Sequence, residues 1–119
     1  MDFNYEKLDV AKLAKRLILD VYNISKEFPA EERFGMISQL RRAAVSILLN
    51  IAEGNSRATK KDYRNFVRIA IGSAVETDCV LKIAIDLNYI HISQYKIVEP
   101  IIRELYFKLI GLSNYLKES

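Results

Sequence analysis

Gln39 to Gly54, QLRRAAVSILLNIAEG, decides the fold, because read as a helix it carries more apolar surface than one core requires. Turning each residue by about 100° places Ala43, Met36, Ile47, Leu40, Ile51, Ala44, Ile37 and Leu48 on one arc. Ala52, Val45 and Leu49 continue that arc beyond Arg41. Only a narrow strip of Arg42, Glu53, Ser46, Gln39 and Asn50 is polar. A surface helix usually buries a stripe only somewhat wider than about 100°. Two readings fit: the central helix of a small bundle, or a helix that also buries a second face, around Val45, Leu49 and Ala52, against another subunit.

The chain has 119 residues, half of them hydrophobic, which suffices for one domain with a real core and is too short for two. Four Gly, two Pro and the absence of strict alternation leave little material for the turns of a β protein, so the class is all-α. The single Cys79 cannot close an internal disulfide. The opening residues MDFNYEKLDV carry neither a basic nor an apolar leader segment, and a cytoplasmic protein is expected. Ser46 and Asn50 interrupt the richest apolar stretch, which falls short of the ~20 residues of a membrane span. No membrane segment is expected.

Four helices are predicted, at about 5–27, 33–54, 60–88 and 94–117, forming one domain over 1–119. In the first, Val10, Leu13, Ala14, Leu17, Val21, Ile24 and Phe28 share a face, and Pro29 ends it. Glu31 and Glu32 suit the start of the second helix, and Gly54, Asn55 and Ser56 suggest that it stops in left-handed backbone. Thr59 with Asp62 approximates a capping box for the third helix, and Gly72 within it suggests that another backbone passes close by. Ser93 reads as the N-cap of the fourth, and Pro100 predicts a kink or a short first piece. Short connections turn such helices into an antiparallel, up-down-up-down four-helix bundle.

From Arg41 to Arg68, seven basic side chains face only Glu53 and Asp62, a local net of +5 in a chain whose total is +3. Lys61, Arg64 and Arg68 share an outward face of the third helix, with Lys60 beside them and Arg57 in the loop before it. This cluster is the candidate nucleic-acid-binding surface, with Arg41 and Arg42 as second choices. Indexing the second and third helices as an antiparallel hairpin sets Glu53 near Arg64, Arg41 and Arg42 near Glu76, and Val45 near Gly72. Glu53 and Glu76 are therefore read as partners in structural ion pairs. Tyr63 and Phe66 face the core and are poor candidates for base stacking.

No catalytic site is expected. His91 and Cys79 are each alone, so one chain offers no zinc cluster and no Cys/His dyad, and no metal or cofactor is predicted. There is no phosphate loop, and Gly72-Ser73 lies within a helix rather than on a nucleophile elbow. The Arg and His pairing of the small helical HEPN ribonucleases is missing too, since the nearest Arg before His91 is Arg68.

The Phe28-Pro29 exit, QLRRAAVSILLNIAEG, Arg57, and FVRIAIGSAVE from Phe66 to Glu76 together resemble the bacterial four-helix proteins called 23S rRNA-intervening sequence proteins. The resemblance spans nearly the whole chain; Leu48-Leu49, where members often carry Pro-Ala, and Pro100 depart from it. It implies a homopentamer of four-helix bundles, often encoded within inserts in ribosomal RNA genes. Related accessory proteins of diversity-generating retroelements bind nucleic acid and a reverse transcriptase. It implies no settled activity, but it favours a subunit interface on the second face around Val45, Leu49 and Ala52. The expected function is that of a non-enzymatic oligomer whose Arg and Lys side chains hold nucleic-acid backbone, RNA rather than DNA and possibly rRNA. The alternative is a scaffold that docks a polymerase or another protein without touching nucleic acid.

Overall fold

A computed structural model describes residues 1–117 and contains four α-helices and two short 3-10 turns. Helix α1 spans Asp9–Ser25, α2 Met36–Asn55, α3 Lys60–Asp86 and α4 Ile92–Tyr115. They pack as a ring of neighbours, α1 on α2, α2 on α3, α3 on α4 and α4 on α1, which makes a four-helix bundle. Leu17, Val21, Leu40, Ile47, Ile51, Val67, Leu81, Leu105 and Leu109 are removed from water along its axis. All belong to the apolar faces that helical periodicity selects.

Side-chain contacts between neighbours recur at both ends. Asn4 meets Asn55, while Arg41 reaches Ser25. The Ser46 and Ser73 hydroxyls lie 3.0 Å apart, and Gly54 sits against Tyr63 and Phe66. Farther round, Tyr95 donates to Asp78 while Arg64 reaches Ser113.

Helix boundaries follow local chemistry that the sequence reveals unevenly. The chain before α1 is a 3-10 turn at Asn4–Lys7 rather than helix from Tyr5, and a second at Ala30–Glu32 delays α2 to Met36. Glu32 is central there. Its Oε1 accepts from the Met36 amide at 3.2 Å, satisfying an open donor of the first turn of α2, and its Oε2 accepts from the Tyr89 hydroxyl at 2.8 Å. One carboxylate thereby ties the α1–α2 connection to the α3–α4 turn. Thr59 caps α3 as expected, its Oγ1 accepting from the Asp62 amide. Asn88, at φ 60°, closes α3 with the Tyr89 amide on the Ala84 carbonyl and the Asn88 amide on the Ile85 carbonyl, the reach-back of a Schellman stop.

Four expectations are corrected. Gly54 is no left-handed stop: α2 runs through it to Asn55, no glycine has positive φ, and Gly54 is buried where α2 presses on α3. Gly72 has open space beside it, with no neighbouring backbone within 4 Å of where a Cβ would stand. His91, not Ser93, caps α4: its Nδ1 accepts from the Ser93 amide, and its own amide donates to Gln94 Oε1. Pro100 neither starts nor divides α4. It lies on the exposed side of one continuous helix, so the short first piece does not form.

Candidate nucleic-acid interface

The predicted basic residues gather where the end of α2, the start of α3 and the end of α4 meet. Lys60, Lys61, Arg64 and Arg68 follow one another on the α3 surface within about a third of a turn, because four-residue and seven-residue spacings return to nearly the same direction. They differ in what holds them. The Arg64 guanidinium donates through Nε to the Ser113 carbonyl at 3.0 Å, binding α3 to the last turns of α4. Lys60 places its ammonium 5.3 Å from the centre of the Tyr115 ring. Arg57, in the loop, pairs with Glu53 at 2.6 Å and lies over the Phe66 ring at 4.6 Å. Lys61 and Arg68 are exposed and, among the described residues, make no ion pair.

Two predicted ion pairs are corrected. Glu53 pairs with Arg57 one turn on, not with Arg64, whose side chain leaves α3 toward α4. Glu76 has no salt bridge among the described residues. Arg41 instead turns to α1, where Nε donates to the buried Ser25 hydroxyl at 2.8 Å and the guanidinium lies 4.5 Å from the Tyr22 ring centre. The register itself was close, as Ser46 against Ser73 shows. Register fixes height along a helix pair and leaves open the side from which a long side chain departs. Arg41 is thus committed to the fold, whereas Arg42 is exposed and makes no ion pair among the described residues.

Arg42 belongs to a second region. Tyr22, Arg33, Phe34, Ser38, Arg41, Arg42, Val45 and Leu49 line a groove of about 540 Å³ along the outer side of α2. Leu49 and Asn50 also line the next groove, of about 670 Å³, with Phe3, Ala52 and Asn55. Leu49 is 62% exposed and Phe34 89%, while Val45 and Ala52 are half-buried. The apolar arc of α2 does extend past what the core covers.

Two side chains escape sequence reading. Tyr115 stands 72% exposed beside Lys60, and Arg33 joins Arg41 and Arg42 in the α2 groove. Antiparallel indexing of α3 against α4 brings Tyr115 opposite Lys60; periodicity alone does not.

A third cluster lies between α3 and α4. The Tyr95 hydroxyl donates to Asp78 at 2.6 Å, and Asp78 also pairs with Lys82 at 2.8 Å. Burial, then the hydrogen bond to Asp78, raises the Tyr95 phenol above its ordinary range. The hydrogen bond and charge of Asp78 raise the Lys82 ammonium. Both shifts hold the phenol and the ammonium protonated at neutral pH. Among the described residues, no three His, Cys, Asp or Glu side chains gather as a metal site, and no helix is long and apolar enough to cross a membrane.

The sequence matches the family model described as 23S rRNA-intervening sequence protein over residues 6–111. The chain belongs to the 23S rRNA-intervening sequence protein family. This family member also resembles, with a TM-score of 0.80 and 28% identity, a crystal structure of a protein of unknown function from the S23 ribosomal protein family of Bacteroides thetaiotaomicron. The similarity covers 87% of this chain and 97% of that one. No curated protein matches it.

Proposed function

We propose that the protein is a non-enzymatic, cytoplasmic homo-oligomer, pentameric as its family resemblance implies, that holds nucleic-acid backbone, RNA in preference to DNA. The bundle is read as antiparallel, up-down-up-down, in keeping with contacts that join a residue early in one helix to one late in its neighbour, Arg41 to Ser25, Arg64 to Ser113 and Tyr95 to Asp78. The observation that carries the function is the basic arc of Lys60, Lys61, Arg64 and Arg68 at one end of α3, with Lys61 and Arg68 exposed and free of ion pairs among the described residues. Such side chains release counterions on meeting phosphate and carry no base preference of their own. One subunit offers few contacts; a ring of subunits repeats them at high effective concentration.

The test is light scattering after size exclusion, alone and with mixed RNA at low and moderate salt. A mass near five chains that shifts with RNA at low salt only supports the proposal. A monomer indifferent to RNA overturns it, and a complex that survives high salt favours a protein-docking scaffold instead. The self-contact is assigned to the outer side of α2, where Val45, Leu49 and Ala52 continue the apolar arc. Leu49→Arg is therefore expected to reduce the mass to that of one chain while circular dichroism keeps its helical form. An unchanged mass would move the interface elsewhere.

A further inference from the structure

The basic end of the bundle carries an exposed aromatic ring whose one described partner is a member of the basic arc. Tyr115 lies in the last turn of α4, 72% exposed, and its hydroxyl makes no hydrogen bond among the described residues. Two residues earlier the Ser113 carbonyl accepts from Arg64, and the Lys60 ammonium lies 5.3 Å from the ring centre. One member of the basic arc thus lies against the ring, and a second is held two residues away on the same helix end. The other aromatics here are spent differently: Tyr63 and Phe66 are half-buried against Gly54, and Phe66 already lies beneath Arg57.

We infer that Tyr115 is a stacking platform for an unpaired base and that the ligand of this surface is single-stranded nucleic acid rather than duplex. A duplex presents phosphates to the Lys and Arg heads and keeps its bases stacked inside. A single strand presents both, and the ring beside Lys60 receives a base while the neighbouring cations hold its phosphates. Base–aromatic stacking is tolerant of sequence and is worth about 5- to 100-fold in affinity for each base. This inference rests on the nucleic-acid reading above and adds the strandedness of the ligand. RNA and DNA strands share the chemistry, since neither stacking nor phosphate contact requires the 2′-hydroxyl.

The test is fluorescence anisotropy at low salt with a labelled RNA strand, its perfect duplex, and DNA versions of both. Wild type is expected to favour the single strand. Tyr115→Ala is expected to lose about 5- to 100-fold for the strand and little for the duplex, with Tyr115→Phe behaving as wild type. The double reversal Lys61→Glu, Arg68→Glu is expected to weaken strand and duplex alike. If wild type binds strand and duplex equally and Tyr115→Ala changes neither, the platform is refuted while the nucleic-acid reading stands. Binding of neither by wild type removes both. A change in the scattering mass of Tyr115→Ala would assign the ring to a contact between copies and also overturn the inference.

Discussion

Reversing Lys61 and Arg68 together to Glu is expected to weaken RNA binding at 0.1 M salt by about 25-fold for one subunit and by several hundred-fold where two subunits share a strand. The estimate follows from counterion release. Each phosphate contact to a single strand contributes about 0.7 to the log–log salt slope, or roughly fivefold between 1 M and 0.1 M. Two contacts multiply, and a second engaged subunit squares the product. Lys61 and Arg68 are the right pair because their heads are exposed and make no ion pair among the described residues. Arg64→Glu would also remove the bond to Ser113, and Arg57→Glu would set a second carboxylate beside that of Glu53. Helical circular dichroism should be unchanged, and the salt dependence should flatten. Anisotropy titrations that superimpose on wild type would remove the basic arc from the function.

Gly54→Ala is expected to cost about 1–3 kcal/mol, the range for overpacking a close contact, despite the ~1 kcal/mol by which Ala favours a helix. A Cβ at Gly54 would stand 2.8 Å from the Cβ of Phe66 and 3.1 Å from the Tyr63 carbonyl oxygen. Both belong to the body of α3, and neither is the end of a flexible chain. Gly72→Ala is the control: with open space beside it, the same change is expected to stabilise by up to ~1 kcal/mol. At roughly 4 °C per kcal/mol the two variants should melt on opposite sides of wild type. If Gly54→Ala melts with wild type, α2 and α3 do not depend on that close approach.

The opposite assignments that sequence reading gave these two glycines show where it stops. Periodicity identifies the buried faces because Leu17, Leu40, Ile47, Leu81 and Leu105 must leave water together, and that demand is written in spacing. Thr59 and the end of α3 near Asn88 were legible because caps are local chemistry. Gly54 reads as a local stop, yet its role is set by Phe66 across the interface, which no local rule contains. The α2 delay to Met36 has the same origin: Glu32 is recruited by Tyr89, far along the chain.

The candidate site was legible as a list of cations and illegible as an arrangement. Arg41, Arg57, Arg64 and Arg68 look alike in sequence. Only the fold separates Arg41, spent on Ser25 and Tyr22, from Arg68. Tyr115 escapes such a list because an aromatic at the end of an apolar stripe is ordinarily core.

The seam between α2 and α3, made by Gly54 against Tyr63 and Phe66 and by the Ser46–Ser73 contact, also sets an order of events. Its helices are joined by the few residues between Asn55 and Lys60, so closing that loop costs less entropy than bringing α1 to α4 across the chain. This hairpin is the part expected to form in the folding nucleus, with α1 and α4 condensing upon it. The stability lost in Gly54→Ala should then appear as slower folding, with the unfolding arm of the chevron nearly unmoved.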